Sequence, residues 1–321
     1  MMSAAVHWLR SEPLGIVRSA ILAASQSEWL RVHAPRYRFV RRTADRFMPG
    51  EKLEDAIGAA RKLGDHNIGS VFSALGENVT DPAEAEKESH YYVEVLAQLR
   101  AAGMPLEVSV KLTHLGLDLN PDLCYRNLKR IVDAAAGGLV WIDMEQSAYV
   151  DRTLALFHRV HAESPHVGIC LQAYLYRTAK DMESLITAGA AIRLVKGAYQ
   201  EAKEVAYPKK RDVDQNFFEL TKRLLSDGAL HRGVRGAIGT HDIELIRRTN
   251  EFASEHGVPK DGYEFQMLYG IQREEQIRLA RNRYRMIVLI CYGTHWYPWF
   301  MRRMAERPAN TWFALKNIVA G

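Results

Sequence analysis

Short apolar, β-branched runs recur along most of this chain at intervals of roughly 25–45 residues, each followed by a longer stretch with helical periodicity. They are Ile68 to Leu75, Leu106 to Leu112, Leu139 to Met144, Val167 to Ala173, Ala191 to Val195, Val234 to Gly239, Tyr263 to Leu268 and Met286 to Cys291. A strand whose neighbours are parallel is covered by helices on one face and by the sheet interior on the other. It therefore reads as a continuous apolar run and not as an alternating one. About eight such units in succession are the number that closes a (βα)8 TIM-type barrel, so the predicted fold class is α/β.

The intervening stretches support that count. Pro82 to Arg100 follows Asp81, a suitable N-cap, and ends near Gly103; Pro121 to Ala136 follows Asn120 in the same way. Asp214 to Leu225, Asp242 to His256, Arg273 to Arg281 and Trp296 to Glu306 are further amphipathic stretches. Pro308 should interrupt the chain before a last helical piece, Ala309 to Val319. The first 65 residues contain helical patterns such as Ile16 to Trp29 and Leu53 to Leu63, and little that resembles a strand. The expected organisation is a helical extension over residues 1–65 and a barrel over 66–321.

Composition narrows the class. Over 321 residues, 47% hydrophobic and 25% charged residues exclude a disordered, collagen-like or disulfide-stapled chain. A net charge of +5, dispersed along the chain, argues against nucleic acid as a partner. Cys124, Cys170 and Cys291 show no Cys-x-x-Cys spacing, which points to a reducing cytoplasm. His158 and His161 lie three apart without a third ligand, so no metal is expected. No secretory signal or membrane-spanning run is visible, while attachment to a membrane surface stays open.

In a barrel of this kind chemistry sits at the C-terminal ends of the strands. The residues to consider there are Ser73, Gly76 and Glu77, then Lys111, then Asp143 and Glu145, then Gln172 and Tyr174. Arg193, Lys196 and Tyr199 follow, then Thr240, His241 and Asp242, then Gln266, Leu268 and Tyr269. Charged residues inside apolar runs are costly to desolvate, so they are expected to be paired or functional.

The strings VSVKL at 108–112, WIDME at 141–145, LQAYL at 171–175, IRLVKGAY at 192–199, GTHD at 239–242, YEFQMLYG at 263–270 and FMRRMAERPAN at 300–310 together resemble those of the proline dehydrogenases. The resemblance runs from about Ile68 to Asn317, nearly the whole barrel. It implies a distorted barrel that holds FAD noncovalently. Hydride passes from the ring carbon beside the nitrogen of L-proline to flavin N5, giving 1-pyrroline-5-carboxylate, and electrons go on to a membrane quinone. It also leaves open a peripheral contact with the inner face of the cell membrane and a pyrroline-5-carboxylate dehydrogenase partner.

Carried over residue by residue, the resemblance makes Lys111, Asp143 and Arg193 the catalytic set. The substrate site comprises Lys111, Ala198, Tyr199, Leu268, Trp299, Arg302 and Arg303. Glu77 pairs with the first arginine to close the site, and Glu306 orients a guanidinium one turn away. FAD falls to Asp143, Gln172, Arg193, Lys196, Gly197, Ala198, Thr240 and His241. The residue types suit these roles, because paired arginines clamp a carboxylate with a fork geometry that lysine lacks. Three positions depart from the family pattern. Trp299 and Leu289 stand where it has tyrosines, and Ser73 where it has an acid. Hydroxyproline or another cyclic secondary amine therefore stays open as substrate. From the residue types alone, a lyase forming a Schiff base on Lys111 or Lys196 and a basic module binding nucleic acid or anionic membrane are alternatives.

Overall fold

Each apolar run becomes a strand, and the eight strands close on one another in chain order. The computed structural model describes residues 27–34 and 37–306. Its first elements are α1 (Glu28–His33), α2 (Arg38–Ala44) and α3 (Leu53–Gly64). The repeating units are β1 (Gly69–Ala74) and α4 (Pro82–Ala101), β2 (Glu107–Val110) and α5 (Pro121–Ala134), β3 (Leu139–Ile142) and α6 (Val150–His161), and β4 (Val167–Gln172) and α7 (Thr178–Thr187). They continue with β5 (Ala191–Val195), α8 (Lys210–Leu224) and α9 (Asp227–His231), β6 (Arg235–Gly239) and α10 (Ile243–Glu255), β7 (Tyr263–Leu268) and α11 (Arg273–Arg281), and β8 (Arg285–Tyr292) and α12 (Trp296–Glu306). All neighbouring strands are parallel, and β8 returns to β1 with Gly69 beside Ile287 and Ala74 beside Tyr292. The (βα)8 barrel expected from the strand count is the fold.

The caps explain several helix starts. Asp81 accepts from the amide of Ala83, and Asn120 from those of Asp122 and Leu123, with Pro82 and Pro121 at the first helical positions. Most boundaries fall within two residues of the expectation, and two of the differences have a local cause or a clear size. β2 stops at Val110 because the chain tightens into a 3-10 turn, Leu112–Leu115, that ends on Gly116 at φ 93°. α8 begins at Lys210, a turn ahead of Asp214. The stretch expected as a helix from Ile16 to Trp29 lies almost wholly outside the described residues, as do Pro308 and the piece from Ala309 to Val319.

Period-two alternation divides the core. Phe72, Val110, Ile142, Ile169, Leu194, Phe265 and Val288 face the helices, in one large apolar cluster that also takes in Leu53, Ala56 and Ile57 of α3. Val71, Leu139, Trp141, Ala191 and Ala237 form a separate cluster inside the barrel. A Cβ on Gly168 would stand 2.8 Å from Cε3 of Trp141, so the glycine leaves the indole its space. A third cluster lies over the strand ends, where Trp296, Trp299, Phe300 and Met304 of α12 pack with Phe47, Met48, Leu75 and Cys291. This cluster seats α12 across the barrel mouth.

Candidate active site

Lys111 and Asp143, one residue past the ends of β2 and β3, meet Arg193 of β5. Arg193 is 4% exposed, and its Nη2 donates to Asp143 Oδ1 at 2.5 Å and to Ser109 Oγ at 2.7 Å. Ser109 Oγ donates in turn to Asp143 Oδ1 at 2.7 Å, and Lys111 Nζ donates to Oδ2 at 3.2 Å. The Arg193 guanidinium also lies 5.0 Å from the centre of the Trp141 ring. Burial alone would raise the Asp143 carboxyl, but the Lys111 and Arg193 cations outweigh it and hold the group below its ordinary value. Burial likewise works against a charged Lys111, and Asp143 overrides it, pushing the ammonium up. A Schiff-base lysine needs a free amine, so this environment disfavours the lyase alternative at Lys111.

Above this trio α12 closes onto the loop after β1. Arg302 makes a two-pronged ion pair with Glu77, Nη1 to Oε1 at 2.8 Å and Nη2 to Oε2 at 2.9 Å. Burial pushes the Glu77 carboxyl up, yet the Arg302 guanidinium beside it holds it below the usual range. The Tyr199 ring lies 6.0 Å from the Arg302 guanidinium, and burial raises its hydroxyl to about 12. Lys111 is close enough to Glu77 and Tyr199 for the three to shift one another's ionisation. Arg303 lies 5.9 Å from the Trp299 ring. Glu306 falls in α12, and its side chain lies outside the described residues.

The ends of β4 to β7 form a second group. Gln172 is buried, donates to Met144 O at 3.4 Å, and leaves Oε1 without a hydrogen-bond partner among the described residues. Lys196 bridges Asp214 at 2.5 Å and Asp242 at 2.8 Å, and Thr240 Oγ1 accepts the Asp242 amide. His241 Nε2 accepts the Leu268 amide at 2.9 Å, so its neutral ring carries the proton on Nδ1. Gly197 sits at φ 113°, where a Cβ would meet Cδ1 of Tyr174 at 2.3 Å. Ala198 follows it, half-buried. Gly197→Ala is therefore expected to cost about 1–3 kcal/mol of stability in a thermal or urea melt, from the strained backbone alone.

The three departures are accommodated differently. Ser73 is buried and donates to the carbonyl of Ser109 at 3.0 Å. Leu289 packs on the interior cluster and on the cluster beneath α12, where Trp299 also sits. Glu145, one of the strand-end acids, ties the turn after β2 by accepting from the Thr113 amide and hydroxyl at 3.1 and 2.7 Å. Sequence reasoning assigned no role to Ser109, Trp141 or Glu264, and it left Gln266 among the strand-end residues without a function. A signal was present: Ser109 and Trp141 lie two residues before Lys111 and Asp143 on the same face of their strands.

The family model described as Proline dehydrogenase matches residues 56–315. The chain belongs to the proline dehydrogenase family. Proline dehydrogenase 2 of Bacillus subtilis strain 168 is 37% identical over 305 residues, 94% of this chain and 99% of that protein. Proline dehydrogenase of Deinococcus radiodurans is 39% identical over 285 residues, 87% of this chain and 90% of its own. Among solved structures, proline utilization A from Bdellovibrio bacteriovorus, inactivated by N-propargylglycine, aligns with a TM-score of 0.76 and 26% identity. That alignment covers 83% of this chain and 33% of the other, so the chain spans a third of that longer protein. Each of the strings that resembles the proline dehydrogenases lies inside the matched residues.

Proposed function

We propose that the protein oxidises L-proline to 1-pyrroline-5-carboxylate with FAD held noncovalently at the ends of β3 to β6. The reading is carried by the ion pair from Arg302 to Glu77, which closes α12 over the paired Lys111, Asp143 and Arg193 in a chain of this family. One feature suits a flavin. The buried Oε1 of Gln172 lacks a donor among the described residues, which the imide N–H or a ribityl hydroxyl of FAD can supply. Gly197 would contribute its backbone, the Tyr174 ring barring any Cβ there. Asp143, Arg193, Lys196, Ala198, Thr240 and His241 complete the group that would hold it. FAD, when bound, supplies a hydride acceptor that can be reoxidised by a quinone.

The chain's own residues do the rest. Arg302, Arg303 and Lys111 hold the substrate carboxylate, and Glu77 keeps Arg302 turned into the mouth. Tyr199, Leu268 and Trp299 wall the ring, which favours a small apolar cycle over an extended amino acid. Arg193, fixed from beneath, offers a permanent positive charge to the floor of the site. We take residues 66–321 as this catalytic unit and 1–65 as its helical extension. The product carries a C=N bond that a separate pyrroline-5-carboxylate dehydrogenase would consume. No helix among the described residues is long and apolar enough to cross a membrane. A cytoplasmic protein that meets the inner face of the membrane peripherally suits a quinone acceptor.

The test is direct. The purified protein is expected to be yellow, with an absorbance band near about 450 nm that bleaches when L-proline is added without oxygen. Colourless protein that takes up no FAD would sink the reading. Hydroxyproline, pipecolate and D-proline in the same assay decide how far Trp299 and Leu289 have reshaped the pocket.

A further inference from the structure

The polar interior of the barrel continues below Arg193 to the strand starts. Glu264 has no exposed surface; it accepts from Nε and Nη2 of Arg235, each at 3.1 Å, and pairs with Arg285 at 3.2 Å. Arg235 also reaches Glu107 at 2.9 Å. Gln266 joins this floor to the site. Its Nε2 donates to Glu264 Oε1 at 2.7 Å, and its Oε1 accepts from Arg193 Nη1 at 3.2 Å. From contact to contact the signs alternate: Lys111 positive, Asp143 negative, Arg193 positive, then through Gln266 to Glu264 negative, Arg235 positive, Glu107 negative.

A guanidinium can only donate and an ionised carboxylate can only accept, so the amide between them has one satisfied orientation. Turned over, it would set NH2 against the guanidinium and C=O against the carboxylate, with both ends buried. Asp143 and Ser109 both engage Nη2 of Arg193, while Cys170 and the Trp141 ring, 5.0 Å from the guanidinium, are weaker neighbours that do not by themselves fix its plane. Gln266, 4% exposed, engages the other nitrogen. We propose that Gln266 is a positioning residue for Arg193: braced by Glu264, it fixes the plane of the guanidinium under the site and so sets the positive charge that the cofactor side receives. The inference rests on the flavin reading above.

The test compares Gln266→Leu and Gln266→Glu in the full, FAD-loaded chain, reading kcat against KM, the midpoint potential of the bound flavin, and the melting temperature. Gln266→Leu is expected to lower kcat by about 100-fold, the order of effect of a misplaced catalytic group. KM for L-proline should stay within about threefold, and the midpoint potential should shift. In Gln266→Glu the new carboxyl faces Arg193 and Glu264, with Arg235 and Asp143 one residue further away. Two adjacent carboxyls share a proton, and the protonated group accepts from Arg193 and donates to Glu264 as the amide did. Activity should therefore recover to within about threefold of the parent at the acid end and fall as pH rises and the proton leaves.

A Gln266→Leu protein that loses only melting temperature, with kcat and midpoint potential unchanged, overturns the proposal. If that variant does not fold, Gln266→Glu decides alone: a parental kcat at every pH overturns it. Parent protein that takes up no FAD, or whose flavin L-proline does not reduce, instead overturns the flavin reading and the positioning role with it.

Discussion

Arg303→Ala is expected to raise the KM for L-proline by about 100-fold, equivalent to roughly 2–3 kcal/mol for lost hydrogen bonds to a charged group, while the protein stays yellow. The reason is positional. Arg303 lies on α12, which is held over the mouth by apolar packing of Trp296, Trp299, Phe300 and Met304, so the helix keeps its seat without the guanidinium. Arg303 lies against Trp299, on the helix that carries the proposed carboxylate clamp and not on the strand ends assigned to the flavin. Steady-state kinetics with a flavin absorbance spectrum separate the two contributions, and joint loss of colour and activity would reassign Arg303 to the cofactor. The neighbouring substitution should read differently. Arg302→Ala also leaves Glu77 without its two-pronged partner, so it should change the pH dependence of KM as well as its size.

Asp143→Ala should have the largest effect on stability. It leaves Lys111 and Arg193 facing each other in the barrel without the carboxylate that both engage. Breaking a buried ionic group by removing one member costs about 3–5 kcal/mol. The pH dependence follows from the direction of the Asp143 shift. Its carboxyl is held below the ordinary value of 3.8, so its contribution is complete above that pH and is lost as pH falls through the lower folded-state value. Thermal melts of parent and variant should therefore lie furthest apart near neutrality and converge in acid. A gap that persists unchanged below the ordinary aspartate range would show that Asp143 acts through packing and not through charge.

The fold was legible in the sequence because parallel strands buried on both faces leave continuous apolar runs, and Leu139 to Met144 or Val167 to Ala173 cannot be mistaken for amphipathic helices. Lys111, Asp143 and Arg193 were legible for a related reason. A charge that interrupts such a run must be paired or functional, and these three pair with one another around a buried Arg193. The helix starts at Pro82 and Pro121 were written in Asp81 and Asn120, whose side chains cap locally.

Partnerships across the barrel are of another kind. Arg302 and Glu77 are separated by 225 residues, and Arg235 and Glu107 by 128. Neither separation follows from a local pattern. The short turn after β2 and the early start of α8 also depend on what each segment meets in space. The sequence by itself determined that eight strands alternate with helices and which strands carry a charge inward. Only the tertiary structure decided that Gln266 stands between Arg193 and Glu264, because the register of a closed sheet, and not any local preference, sets which inward side chains meet on the barrel axis.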